Sequence, residues 1–176
     1  STYFADGAAA NFDDTATTST VNLSATVSPY SMTVSNSTLS YTVSSANGSA
    51  ISGGTSLTKL GAGTLTLTGT NTFTGDITLN GGGTLAISGL LGGGNYSGNL
   101  VNYGSTFNYN GSASQTLSGI ISQNGTLLKT GTGALTISGD DAHTGATTVR
   151  QGTLNLTGSA KTGSSSISIV DNKIGR

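Results

Sequence analysis

Apolar residues alternate with Thr, Ser and Asn in short runs along much of the chain. Leu65 and Leu67 form one such pair, and Leu85 and Ile87 form another. Glycine stands at the borders of these runs, as at Gly89. A period of two places successive side chains on opposite faces of a strand, and bordering glycines mark turns. The pattern therefore predicts short β-strands, each with one buried face.

The chain also repeats itself. Residues 57–69, LTKLGAGTLTLTG, match residues 127–139, LLKTGTGALTISG, at an offset of 70. The match continues from 70–89 into 140–158, where the second copy is one glycine shorter. A degenerate copy of the second half occupies 95–111. Because repeats of this length are typical of stacked architectures, we interpret the chain as one ancestral unit that occurs about two and a half times.

Strands of the same phase recur mostly at about 20 to 22 residues. A strand around Leu117–Ile121 fills the one longer gap. In a parallel β-solenoid each coil stacks on the last at about 4.8 Å and cannot bury its apolar side alone. The spacing therefore predicts an all-β chain folded as a parallel β-helix, or β-solenoid, with one continuous core. The residues that define this phase are Leu65, Leu85, Phe107, Leu135 and Leu154.

The competing interpretation is a meander or sandwich of β-hairpins. Asn-Gly pairs are a strong hairpin signal, and they occur at Asn47-Gly48, Asn80-Gly81, Asn110-Gly111 and Asn124-Gly125. Units of nearly identical sequence, spaced by the length of one coil, stack naturally in parallel. In hairpins, each strand would pair with a strand of different sequence. The repeat therefore favours the solenoid.

Residues Leu117 to Leu156 resemble the autotransporter-associated β-strand repeat of bacterial autotransporter passenger domains. That repeat has a G-x-G-x-L-x-L-x-G strand, then N-x-aromatic-T-G, a turn and a second strand that begins G-T-L. Residues 57–87 carry the pattern more faithfully, with Asn71, Phe73 and Gly75 in place. The resemblance implies a right-handed parallel β-helix displayed outside the cell.

The same resemblance implies one β-helix domain over residues 1–176, with the passenger-type repeats in 51–176. Residues 1–50 do not repeat, and we expect them to form leading coils, with Phe4–Asp14 as a candidate cap over the open end. The implied function is an extracellular structural or adhesive stalk of a surface or secreted protein, made as a precursor with a signal peptide and exported across the outer membrane. The alternative is a carbohydrate-binding module attached to a secreted polysaccharide-acting protein.

Composition and charge exclude several other classes of protein. Only 7% of residues are charged, with 6 Lys and Arg against 7 acidic residues, all of them Asp. Six scattered basic residues cannot form the basic stripe that nucleic acids require. The chain has no Cys, no leader at Ser1 and no long apolar stretch. We therefore expect a mature or excised piece, without disulfides, nucleic-acid partners or membrane insertion by this segment.

His143 is the only histidine and therefore invites a catalytic or metal-binding interpretation. When the repeats are aligned, however, His143 occupies the position of Phe73 and of Tyr96. A position that accepts Phe, Tyr and His calls for a planar ring. We expect a structural ladder of Phe73, Tyr96 and His143 at a coil corner.

Paired aspartates could bind Ca²⁺, and they occur at Asp13-Asp14 and at Asp140-Asp141. Neither pair has the spacing of a calcium loop, and Asp141 aligns with Asn71, a typical turn residue. Hydrolase or lyase chemistry needs clustered carboxylates or a base with a metal. The chain has no Glu, and the best available group, Asp140, Asp141 and Arg150, is spread over ten residues. We expect no metal, no cofactor and no enzymatic activity.

The outward-facing residues are the candidate binding surface. Thr64, Thr66 and Thr68 alternate with buried leucines and form a flat, uncharged, hydroxyl-rich face. Tyr103 aligns with polar residues of the other copies, which makes it the candidate platform for a sugar ring. The expected partners are other copies of the chain or surface glycans. Ice binding would need a uniform Thr-x-Thr row, and the aligned columns are mixed.

Overall fold

The computed structural model describes residues 4–45, 47–157 and 166–170. Strands in this part of the chain pair only in parallel and wind into a β-solenoid of about 7 turns. This confirms the predicted fold. The Asn-Gly pairs lie in turns between strands of different sheets: Asn80-Gly81 precedes a change of sheet, for example. The hairpin alternative is therefore wrong. No helix among the described residues is long and apolar enough to cross a membrane.

Three parallel sheets form the sides of the solenoid, and we name them faces A, B and C. Face A contains β1 (Ala9–Asp13), β3 (Ser31–Ser35), β5 (Ser56–Leu60), β7 (Ile77–Asn80), β10 (Leu100–Tyr103) and β13 (Ile121–Ser122). Face B contains β2 (Thr20–Leu23), β4 (Tyr41–Ser45), β6 (Thr64–Thr68), β8 (Thr84–Ile87), β11 (Thr106–Tyr109), β14 (Thr126–Lys129), β16 (Thr147–Val149) and β18 (Ile167–Ile169). Face C contains β9 (Asn95–Tyr96), β12 (Gln115–Leu117), β15 (Ala134–Ile137) and β17 (Thr153–Leu156). A short 3₁₀ turn, Gly92–Gly94, precedes β9.

The core consists of inward-facing columns that run from coil to coil. On face A, Leu57 pairs with Ile77, which in turn pairs with Leu100. Each of these side chains is buried, so the alternating apolar positions become one continuous interior. No pair in the strand registers places one charged residue on another. This arrangement avoids a column of like charges at the short strand spacing.

The predicted stacking order is only partly correct. Leu65, Leu85 and Phe107 do stack in register on face B. The next residue of that column is Leu127, whereas Leu135 and Leu154 pair with each other on face C. The long interval that follows Phe107 is therefore more than one coil, and it carries the chain onto the next face.

The two copies of the repeat consequently start on different faces. Lys59 lies in β5 on face A, and its counterpart Lys129 lies in β14 on face B. Each side of the solenoid is one short strand followed by a tight corner, so one strand-and-corner unit fits any of the three sides. The second copy is therefore rotated by one face relative to the first.

Glycines stack in columns at the corners where coils approach most closely. Gly75, Gly98, Gly119 and Gly139 occupy the corner between faces C and A in successive coils. At each of them a Cβ atom would lie less than 3.0 Å from a backbone oxygen of the preceding coil. No other residue fits there without a shift of the backbone, which explains much of the glycine content.

The segment predicted to act as a cap contributes the first strand of face A. Residues 9–13 form β1, the first strand of face A, which pairs along its length with β3. Asp14 then accepts hydrogen bonds from the backbone N–H groups of Ser37, Thr38 and Leu39. These bonds, the one from Leu39 above all, lower the pKa of Asp14 to about 2. Asp14 thus ties the first coil to the corner of the next.

Candidate functional site

The predicted binding residues lie on two different faces. Thr64, Thr66 and Thr68 project from the outer side of β6 on face B, and each is partly exposed. Tyr103 ends β10 on face A and is 45% exposed. The structure therefore does not bring the tyrosine and the three threonines together on one sheet.

The outer side of face B carries one uniform row of threonines. Thr64, Thr84, Thr106 and Thr126 are paired in register across four successive coils. The repeat alignment placed Ala134 in this row, but Ala134 lies on face C because the second copy is rotated. The adjacent row is mixed, with Thr66, Ala86, Asn108 and Leu128. We call the uniform row the threonine row.

The three ring residues are divided between two corners. Phe73 and Tyr96 are both buried, and their ring centroids lie 5.7 Å apart with an interplanar angle of 70°. Tyr96 donates its hydroxyl to the Gly75 carbonyl, and burial raises its pKa. His143 lies in the turn before β16, a strand of face B, whereas Phe73 lies before β7, a strand of face A. His143 is therefore one face away from the other two rings.

His143 belongs instead to a buried polar network. Its Nδ1 is paired with Asp141 Oδ1, and its Nε2 lies 3.0 Å from Thr147 Oγ1. The exposed fractions of Asp141, His143 and Thr147 are 4%, 1% and 1%. The second carboxylate oxygen of Asp141, Oδ2, is buried without a hydrogen-bond partner. The histidine ring therefore links a carboxylate to a hydroxyl inside the solenoid.

The first copy of the repeat has no such network. The positions equivalent to Asp141, His143 and Thr147 are Asn71, Phe73 and Ile77. Asn71 bonds only with neutral partners, and one of them is the N–H of Ile51 at 3.0 Å. The two copies thus differ at all three positions. The first copy has a neutral and largely apolar set, and the second has a hydrogen-bonded set that contains a carboxylate.

An acid, a histidine and a hydroxyl in line resemble the relay of hydrolytic triads. Catalysis also needs contact between the hydroxyl and a substrate, and Thr147 is 1% exposed. Asp140 and Arg150 are exposed while Asp141 is buried, so the predicted acid–base group is divided between the surface and the core. Within the described residues, no group of three or more His, Cys, Asp or Glu side chains is placed to hold a metal ion. The arrangement supports a structural role for the network.

Two lysines are buried at equivalent positions of the two copies. Lys59 Nζ donates to the carbonyls of Leu60 and Gly61, at 2.6 and 2.9 Å. Lys129 Nζ donates to the carbonyls of Gly131 and Gln151. Each ammonium therefore holds the Gly-x-Gly corner that follows it. Desolvation lowers the pKa of both lysines, and the charge of Asp14 opposes this effect at Lys59.

Lys129→Met should remove a specific dependence of stability on alkaline pH. The unfolded lysine titrates near its ordinary pKa of 10.5, whereas the folded lysine releases its proton at lower pH. At pH values between the folded and the unfolded pKa of this lysine, the unfolded chain binds more protons than the folded chain. The free energy of unfolding therefore rises with pH in this range. Denaturant melts between about pH 8 and 10.5 should show this rise, relative to Lys129→Met, in the wild type. Parallel curves for the two proteins would show that burial does not perturb Lys129.

Sequence reasoning missed these lysines although a signal was present. Lys59 has the same alternation phase as buried Leu57, and Lys129 has the same phase as Leu127. It also missed Tyr30, which is 78% exposed. Its signal was Pro29, the only proline in the chain.

Comparison with known proteins identifies the repeat. The sequence model of the passenger-associated-transport-repeat family matches residues 57–87 and 127–156. These are the two copies that the sequence predicted, so the resemblance to an autotransporter passenger repeat is confirmed. No curated protein and no solved structure matches this sequence. Two segments of this β-solenoid therefore match the passenger-associated-transport-repeat family.

Proposed function

We propose that this chain is a segment of an extracellular, non-catalytic stalk that presents a repetitive surface for adhesion. The observation that carries the proposal is the presence of two passenger-associated-transport-repeats within one stacked β-solenoid. Each coil adds about 4.8 Å to the length, so about 7 turns make a stiff rod of roughly 30 Å. Such a rod extends a surface protein without a flexible linker.

The outer face of the solenoid supports adhesion through many weak contacts more than long-range electrostatic attraction of a charged partner. The threonine row is uncharged, and the whole chain carries a formal net charge of −1. A neutral surface lacks the long-range attraction that speeds association of charged partners. Repetition along the rod instead multiplies weak contacts, because linked sites bind with a high effective concentration.

The non-catalytic assignment is supported by where the chemistry-bearing side chains lie. The only histidine and its carboxylate partner are buried in the core, where the histidine contacts both that carboxylate and Thr147.

The extracellular position of the chain is supported by the passenger-type repeat. An antibody against the chain should therefore label intact cells that produce it. Labelling only after permeabilisation would contradict the extracellular assignment.

Adhesion through the threonine row is tested with beads coated with the chain. Beads that carry the wild type should cluster. Thr84→Lys/Thr106→Lys should abolish clustering, since two adjacent charges repel the same row on a facing bead. The control is Thr58→Lys/Thr78→Lys, which places the same charges on adjacent coils of face A. Equal loss in both variants, or no clustering of the wild type, would contradict a role for the threonine row.

The second candidate function, carbohydrate binding, is favoured by one specific observation. Tyr30 and Tyr103 are exposed at 78% and 45%, while Tyr41, Tyr96 and Tyr109 are buried. Exposed aromatic rings with a polar end are common in binding surfaces. Of these two exposed tyrosines, Tyr30 lines a surface groove.

A further inference from the structure

A groove opens on the surface of the first two coils, beside the corner that leads into β3. It has a volume of about 550 Å³ and is lined by Asp6, Gly7, Ser28, Pro29, Tyr30 and Gly54. This volume is within the range of small-molecule sites. Two lining residues, Gly7 and Gly54, have no side chain, and Ser28 has a small one. The side chains that line the groove therefore leave most of it open.

The tyrosine at this groove is held on a rigid support. Pro29 fixes the backbone immediately before Tyr30, and the Pro29 carbonyl accepts a hydrogen bond of 2.6 Å from the Thr55 hydroxyl. The Tyr30 N–H donates to the Ala8 carbonyl at 3.1 Å. Because the corner is already ordered, a ligand that stacks on the ring immobilises little of the protein.

A carboxylate stands beside the ring. Asp6 Oδ1 accepts a hydrogen bond of 2.7 Å from the Ser28 N–H, which fixes the orientation of the carboxylate. Asp6 Oδ2 has no hydrogen-bond partner among the described residues. A carboxylate oxygen accepts hydrogen bonds, so Oδ2 can accept one from a ligand hydroxyl. Among the described residues that line the groove, Asp6 is also the only charged one.

From Gly75 onward, the same corner is closed to side chains. By strand register, Tyr30 occupies the column that continues through Thr55 to Gly75, Gly98 and the glycines beyond. There a Cβ would overlap the backbone of the preceding coil. The second coil is therefore the place where this corner projects a large ring outward.

We propose that this groove binds a neutral oligosaccharide. The C–H face of a pyranose ring packs on the exposed face of Tyr30, and a sugar hydroxyl donates to Asp6 Oδ2. Acidic sugars are excluded because their carboxylates would face the Asp6 carboxylate without a basic residue between them. The site is separate from the threonine row, so the adhesion test can fail without affecting this proposal.

The test uses an array of immobilised oligosaccharides that includes neutral hexose and N-acetylhexosamine chains and acidic uronic and sialic chains. We expect the wild type to bind members of the neutral set only. Tyr30→Ala should weaken that binding at least tenfold. Gly54→Leu should do the same by filling the groove. A Cβ at Gly54 meets no atom within 4 Å, so we expect this variant to fold.

Ile120→Ala is the matched control, because it truncates another exposed large side chain that does not line the groove, and it should leave binding unchanged. Thermal melts of all variants should coincide with the wild type, which separates lost binding from lost folding. The proposal is overturned if the wild type binds no neutral oligosaccharide or prefers acidic ones. It is equally overturned if Tyr30→Ala binds as the wild type does, or if peptides on a parallel array bind at this groove in place of sugars.

Discussion

His143→Phe is expected to lower the free energy of unfolding by about 3–5 kcal/mol. The substitution restores the residue that the first copy has at this position, Phe73. It nevertheless removes the imidazole partner of Asp141 and leaves that buried carboxylate with only the backbone N–H of residue 143, at 3.4 Å. The loss of a partner outweighs the gain in apolar packing.

The triple variant Asp141→Asn/His143→Phe/Thr147→Ile should recover most of that loss. It converts the whole network into the set found in the first copy, Asn71, Phe73 and Ile77. Since replacement of both partners of a buried polar pair by well-packed groups is often neutral or stabilising, we expect stability within about 1–2 kcal/mol of the wild type. Urea melts of the wild type, the single variant and the triple variant measure the coupling. A triple variant that is less stable than His143→Phe would contradict this interpretation.

Gly89→Ala is expected to cost about 3 kcal/mol or more, a large effect for one methyl group. A Cβ on Gly89 would lie less than 3.0 Å from the Gly69 carbonyl oxygen in the preceding coil. The Gly69 backbone cannot move aside as a flexible side chain would. The two coils must therefore separate locally to relieve the clash. Gly89 does not adopt a positive φ, and the cost is therefore steric alone.

The control for this prediction is Gly54→Ala. Gly54 also lacks a positive φ, and a Cβ there has no neighbour within 4 Å. The variant should match the wild type or exceed its stability by up to about 1 kcal/mol, since alanine restricts the unfolded chain. Thermal melts of both variants test the account. Equal melting temperatures for Gly89→Ala and Gly54→Ala would show that the coils are not packed backbone to backbone at this corner.

The strands were predictable because each one is specified locally. The alternation of Leu65 and Leu67 between threonines fixes which side chains are buried, and the structure buries both. The repeat was equally predictable, since the two copies share their bordering glycines and the same alternation of apolar and polar residues. Together these features were sufficient for the solenoid.

The stacking of one copy relative to the other was not predictable by alignment. Alignment reports common descent, whereas stacking depends on how many residues the chain winds before it returns to the same face. The interval from Phe107 to Leu135 exceeds one coil, so equivalent residues lie on neighbouring faces. For this reason His143 keeps the burial of Phe73 but not its neighbours, and Thr126 replaces Ala134 in the threonine row.

The rotation of the second copy by one face is tested most directly with pyrene-labelled cysteine pairs. The chain has no Cys of its own, so Thr106→Cys/Thr126→Cys and Thr106→Cys/Ala134→Cys are each labelled at two known sites. Thr106 and Thr126 are partners on adjacent strands, and this pair should give strong excimer fluorescence that disappears in denaturant. The second pair should give monomer emission alone. Excimer emission from Thr106→Cys/Ala134→Cys, without emission from the first pair, would contradict the rotated solenoid.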